Sequence, residues 1–173
     1  VFSFEKLYGA DINLGPEMKS TGEVLGIAKT YDEALIKAFS GAGMHLLTDG
    51  NAIITVKDSD KEEVLPIAKG LQELGWHIYC TEGTAEYLRR HGVSTIRLNK
   101  IGDGKPDILD EILSGEIDLV INTPSKGAQH HRDGFLIRRN TVEAGIPCLT
   151  SLDTATAFLN CVRHVSETDL SVV

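Results

Sequence analysis

Long apolar runs are scarce in this 173-residue chain. Stretches such as 52–56 and 119–121 fall far short of the ~20 residues that a membrane helix needs, which excludes a membrane span and a membrane partner. Basic charge is in the minority: 17 Lys and Arg stand against 25 Asp and Glu, a formal net charge of -8. That deficit argues against nucleic acid as a partner, because following a phosphate backbone takes a broad basic face. A small phosphorylated ligand is still allowed, since a few converging lysines and backbone N–H groups suffice to hold one. Cysteine is sparse and odd in number. Cys80, Cys148 and Cys161 lack C-x-x-C spacing and sit in apolar stretches, which speaks against a disulfide framework or a zinc site. They read as buried thiols of a reducing, cytoplasmic protein. No basic segment followed by an apolar one opens the chain, so no signal peptide is expected, and the first residue is Val rather than Met, as in a fragment or a processed chain.

What is present, from Asn51 onward, is a fivefold alternation of short β-branched runs with amphipathic stretches, the pattern of an α/β domain. The first run, 52–56, is almost wholly apolar, as a parallel strand covered on both faces should be. Val64, Ile67, Ala68, Leu71 and Leu74 then recur at helical spacing up to Gly75, with Ser59 and Glu62 spaced as a capping box. Pro66 inside this stretch predicts either a later helix start or a kink. Further strands are expected at 76–80, 94–98, 117–121 and 146–149. Helices are expected at 85–91, from Pro106 in a first turn to Leu113, at 136–144, and over the last stretch with Ala155, Phe158, Leu159 and Val162. A long polar loop, 122–134, separates the fourth strand from its helix. Five such units make one doubly wound sheet in a three-layer α/β/α arrangement. The first fifty residues read differently: an apolar run at 1–7, a Gly15-Pro16 turn, and a helix opened by Thr30 and Glu33 with Ala34, Leu35, Ala38 and Phe39 on its buried side. This arm holds too few core positions to fold alone.

Ligands of open parallel sheets sit beyond the carboxyl ends of the strands. The residues falling there are Lys57-Asp58-Ser59, Thr81-Glu82-Gly83-Thr84, Asn99-Lys100 and 122–127 (NTPSKG). Hydroxyls, amides, lysines and a glycine opening a helix form the inventory of an anion pocket. Gly83 admits a close approach of backbone to anion, and Thr84 stands at an expected helix N-terminus, where plain capping is the alternative role. Lys100 would neutralise a phosphate or else be an ordinary surface lysine. Adjacent His130 and His131 do not face the same way and have no third ligand at useful spacing, so no metal is expected. Arg138 and Arg139 pair with acids of a neighbour or of the arm, or lie on a solvated face. No nucleophile motif or P-loop is present, and no catalytic residue is assigned.

The stretch from about 50 to 165 resembles the methylglyoxal-synthase-like domain, and the string L-G-P-E-M-K-S-T-G-E-V at 14–24 resembles the end of the synthetase core of the carbamoyl phosphate synthetase large subunit. The resemblance implies the C-terminal allosteric domain of that family, with a five-stranded parallel sheet of order 3-2-1-4-5. Residues 1–45 would close the carbamoyl phosphate synthetic, ATP-grasp-type domain, and 46–173 would form the allosteric domain. Such a domain does no chemistry and takes a nucleotide monophosphate effector, UMP or IMP. The parent enzyme, an ATP-dependent ligase using ATP with Mg or Mn, makes carbamoyl phosphate from glutamine or ammonia and bicarbonate for pyrimidine and arginine biosynthesis. It works with a glutaminase small subunit and as a homo-oligomer. No cofactor is implied for this region itself.

By the same resemblance the phosphate pocket comprises Thr81, Gly83, Thr84, Lys100, Asn122 and Thr123. Pro124 stands where the family often has a hydroxyl, which leaves Ser125 or Lys126 to complete it. Cys148 and Thr150 stand where ornithine-responsive members have an aromatic and a threonine, so ornithine is not expected. Two related enzymes fit less well. Methylglyoxal synthase looks as though it needs a His-Asp after the first strand and acids in later loops, whereas Lys57-Asp58 stands here and no acid lies between Asn122 and Gln129. The purine cyclohydrolase domain shares T-x-G-T, but its lysine-threonine-histidine-proline string is absent. An oligomerisation module with a vestigial pocket is the remaining alternative.

Overall fold

The computed structural model describes residues 11–12, 24–124 and 128–168, with the side chains of 128–132 and 166–168 outside the description. The apolar run at 1–7, the Gly15-Pro16 turn and the string at 14–24, Val24 apart, therefore lie outside the described residues, as do Ser125 and Lys126.

In chain order the elements are α1 (Tyr31–Gly41), β1 (Asn51–Thr55), α2 (Lys61–Glu73), β2 (His77–Thr81), α3 (Glu82–Arg90), β3 (Thr95–Leu98), α4 (Ile108–Leu113), β4 (Leu119–Asn122), α5 (Ala128–Glu143), β5 (Cys148–Leu149) and α6 (Leu152–Thr168). The five strands form one all-parallel sheet in the order β3-β2-β1-β4-β5, as expected. Alternation along the strands deals their side chains to two helical layers. Ala52, Ile54, Ile78, Cys80, Leu119 and Ile121 face a large cluster built with α1, α2, α3 and α6. Ile53, Leu98 and Val120 face a smaller one built with α4 and α5.

The first arm helix joins this core. Thr30 caps α1 by accepting from the Glu33 N–H at 3.3 Å, and Ile36 and Phe39 enter the large cluster. The Phe39 ring meets Phe158 of α6 edge-on at 5.8 Å, and Phe158 in turn meets Trp76 at 6.4 Å. Close approach of α2 to α6 requires Gly70: a Cβ there would lie 2.6 Å from Leu159.

Several local expectations are corrected. Ser59 and Glu62 form no capping box. A 3-10 turn at Asp58–Asp60 runs straight into α2, so the Lys61 N–H is satisfied by the Asp58 carbonyl and Ser59 Oγ donates to Asp60 instead. Pro66 does not delay α2, which starts at Lys61 and runs on past it to Glu73. Burial of Val64, Ile67, Ala68 and Leu71 on one face outweighs the single backbone bond that the ring removes. The helix after β2 begins at Glu82 rather than Ala85, so Thr81 takes the cap position and Thr84 lies within the first turn. Pro106 precedes α4 instead of entering it, because Asp107 caps that helix with a full capping box to Asp110. Most of the expected polar loop at 122–134 is helix α5. Gly134 hides that helix from a propensity reading; a Cβ there would sit 3.0 Å from Arg138 Nη1, so glycine makes room for a folded-back guanidinium.

Cys80 and Cys161 are buried and Cys148 half-buried, none in a disulfide. Burial pushes the Cys80 and Cys148 thiols up to about 12 and Cys161 to about 11. Among the described residues no helix is long and apolar enough to cross a membrane.

Truncating Phe158 to Ala should destabilise the fold by about 3 to 5 kcal/mol, the usual loss for a buried Phe, read as a lower urea midpoint. A second expectation concerns pH. The folded chain holds the Cys80 proton more tightly than the unfolded chain, whose thiol titrates near 9.0, so this stabilisation is complete below that value and lost as pH rises toward 12. Urea melts between pH 8 and 11 should show a shallower decline for Cys80→Ala than for the parent chain.

Candidate functional site

Strand register puts one row of residues at the carboxyl edge of the sheet. Leu98 pairs with Thr81 and Thr55 with Asn122, and continuing the β1–β2 register two residues past Ile53 and Tyr79 sets Thr55 level with Thr81. Neighbouring strands lie ~4.8 Å apart, so Thr81 and Asn122 are separated by about 10 Å across β1. The chain leaves β1 toward β2 on one side, while β4 lies on the other. This edge is therefore the topological switch point of the fold.

On the β2 side, Thr81 passes directly into α3. Its backbone is extended and its side chain makes no capping bond, so the first N–H groups of α3 are not consumed by it. The nine-residue helix thus presents orphan donors and the positive end of its dipole. Gly83 sits there without a side chain, and Lys61 Nζ lies 3.5 Å from where its Cβ would be. The Lys61 side chain is only 18% exposed and pairs with Asp58 at 2.7 Å, an aspartate itself 94% exposed. A lysine is thus held over a helix N-terminus by a partner in solvent. Thr84, in the first turn of α3, is buried. Glu82, at the start of α3, is paired with Arg97 of β3 at 2.9 Å.

On the β4 side, Asn122 and Thr123 are buried and engaged with protein. Thr123 Oγ1 accepts from the Lys57 N–H at 3.3 Å, which ties the exit of β1 to the exit of β4. Asn122 Nδ2 donates to the Thr55 carbonyl at 3.4 Å and its Oδ1 accepts from Arg138 Nη1 at 2.7 Å. Lys100 is exposed at the end of β3. Its loop is stapled by Asn99 Nδ2 donating to the Pro106 carbonyl and by Lys105 pairing with Asp107 and Asp110.

Of the residues expected at the site, Thr81, Gly83 and Thr84 come together at the β2–α3 junction, Asn122 and Thr123 meet at the end of β4, and Lys100 is exposed just beyond β3, the strand that pairs with β2. Sequence reasoning missed Lys61. One signal for it existed: a cation at the first position of a helix opposes the helix dipole and calls for a compensating anion. It also left Arg138 undecided; the structure pairs it with Asp11 of the arm, and Arg139 with Glu143.

The donor set suits an anion about the size of phosphate. Burial raises all three thiols above their ordinary value, which disfavours the thiolate at each. Among the described residues no group of three His, Cys, Asp or Glu could hold a metal ion.

Comparison with known proteins gives four likenesses. Residues 63–150 match the family model of the MGS-like domain. The whole chain is 53% identical to a carbamoyl phosphate synthase large chain of Lachnoclostridium phytofermentans, and 96% of it is 54% identical to the corresponding chain of Agathobacter rectalis. It spans 16% of the length of each. Among solved structures, the crystal structure of ForH superposes with a TM-score of 0.51 at 21% identity, covering 69% of this chain and 80% of that one, a likeness of fold alone. Together with the sheet order and the switch-point edge, the family-model match shows that this chain belongs to the MGS-like domain family.

Proposed function

We propose that this chain is the effector-binding region of a carbamoyl phosphate synthase large chain and that it takes a nucleotide monophosphate, UMP or IMP, at the carboxyl edge of its sheet. The observation that carries the reading is Lys61 Nζ standing over Gly83 at the N-terminus of α3, beside a Thr81 hydroxyl that makes no capping bond. A phosphate seated there would receive the helix N–H groups, the ammonium and the hydroxyl, with charge-assisted bonds. The ~10 Å from Thr81 to Asn122 leaves room for the ribose and base to lie across β1. Lys100 would stand at the rim, and Ser125 or Lys126 would complete the phosphate pocket.

In this reading the region itself does no chemistry. The parent enzyme joins bicarbonate and ammonia from glutamine at ATP sites holding Mg or Mn elsewhere in the large chain. It acts in the cytoplasm with a glutaminase small subunit and assembles as a homo-oligomer. Residues 1–45 belong to the preceding synthetase unit and 46–173 to the effector unit. Support for this arm arrangement comes from Leu25, Ile27 and Tyr31, which are 80%, 70% and 73% exposed and suit burial against the rest of the large chain. Effector control would arise from different nucleotide affinities in two states of the whole enzyme.

Calorimetric titration with UMP, IMP and dihydroxyacetone phosphate, with methylglyoxal formation assayed in parallel, tests the reading. Saturable nucleotide binding without turnover is expected; turnover of the triose phosphate would make this a lyase. Replacing Lys61 with Ala should weaken nucleotide binding by about 1.5 to 3 kcal/mol, the worth of a charge-assisted hydrogen bond, and Lys100→Ala by less because that side chain is exposed. Gly83→Ala separates binding from folding. Its Cβ meets Lys61 at an ordinary 3.5 Å, so thermal stability should hold or rise by about 0.5 to 1 kcal/mol while affinity falls, because the methyl group stands between ammonium and helix end.

A further inference from the structure

Arg138 is 2% exposed and charged. A guanidinium withdrawn from water persists only where its donors are matched. Its Nε donates to Asp11 Oδ1 at 2.7 Å and its Nη2 to Asp11 Oδ2, a two-pronged pair with the arm. Its Nη1 donates to Asn122 Oδ1 at 2.7 Å, at the carboxyl edge of β4. One planar group thus joins a residue of the arm to a residue of β4. Gly134 gives it the space, as a Cβ there would crowd Nη1.

The guanidinium is rigid, so a shift that keeps two nitrogens on Asp11 carries the third with it. Asn122 feels that shift directly. With Oδ1 held by Arg138, the amide must turn Nδ2 toward the Thr55 carbonyl, which fixes which end of the side chain faces each neighbour. Take Asp11 away and the buried charge loses its anion, the guanidinium seeks another acceptor, and the amide loses its anchor.

We infer that Arg138 is a positioning residue that couples the seating of Asp11 in the arm to the set of Asn122 in the nucleotide pocket. The inference rests on the effector reading above and gives that site a physical route to the rest of the enzyme. The two states are Asp11 seated, with the amide fixed, and Asp11 withdrawn, with the amide released. Because coupling is reciprocal, a nucleotide that prefers the fixed amide draws Asp11 onto Arg138 by the same factor.

The test is a mutant cycle in the full-length large chain, with Kd for UMP and IMP measured by calorimetry. Asp11→Asn keeps the shape of the contact and removes its charge; Arg138→Lys keeps the charge and removes the fork, and serves where the first variant fails to fold. Each should weaken nucleotide binding 3-fold to 10-fold although Asp11 lies outside the pocket. In an Asn122→Ala background the same substitutions should add less than 2-fold, since the relay then has no receiver. An arm contact that matters only for folding would leave Kd unchanged. Binding by the parent chain with an unchanged Kd in both variants overturns the inference and leaves the effector reading intact. Full additivity with Asn122→Ala overturns it as well, because the effect then reaches the nucleotide by another route. No binding of UMP or IMP by the parent chain removes the effector reading and this inference together.

Discussion

Burial of β1 on both faces is the constraint from which the rest of the molecule follows. Ala52, Ile53 and Ile54 are all at 0% exposure, so each successive side chain must find a helical layer, Ala52 and Ile54 on one side and Ile53 on the other. A strand so covered has both edges paired, β2 on one and β4 on the other. The crossovers then have to diverge, and their divergence opens the edge at which Thr81, Thr55 and Asn122 line up. The candidate pocket is thus a by-product of satisfying one strand's backbone and side chains at once.

The two flanks of that edge are built differently. The β2 side offers unfilled capacity: orphan helix donors, a hydroxyl that does not cap, and a lysine steadied by an exposed aspartate. The β4 side is saturated. Thr123 and Asn122 are already bonded to Lys57, Thr55 and Arg138, so they serve to hold the edge in shape. An anion would be drawn to the first flank and aligned by the second. The same division explains why the buried charge of Arg138 is tolerated: the arm supplies the carboxylate that the sheet lacks.

Much of the fold was legible in the sequence because it depends on periodicity. The five strands and the buried faces of α2 and α6 follow from apolar spacing, whereas the strand order was implied only by the resemblance to the methylglyoxal-synthase-like domain. Helix ends were less legible. Whether Ser59 or a 3-10 turn opens α2, and whether α3 starts at Glu82 or Ala85, turns on single hydrogen bonds that several residues could make. The start of α5 was hidden by Gly134, whose cost to a helix is plain in the sequence while its benefit, room for Arg138, exists only in three dimensions. The site was legible as a set of loop residues at one edge. Lys61 was not among them, because its role comes from lying across from Gly83, a pairing between two crossovers that spacing along the chain does not encode. Arg138 was ambiguous for a related reason: its partner Asp11 lies 127 positions away.

The aromatic chain that joins α1 to the sheet carries a further consequence. Trp76 is the single tryptophan of the sequence; it is buried, and its ring meets the Phe158 ring whose other contact is Phe39 of α1. Among the described residues its indole Nε1–H has no hydrogen-bond partner, and burial in the large apolar cluster gives the ring a setting of the kind that shifts indole emission to the blue. Loosening α1 would remove Phe39 from Phe158 and let that ring, and the polarity around the indole, change together. The molecule thus carries its own optical gauge of whether the amino-terminal helix is docked, readable without any added label.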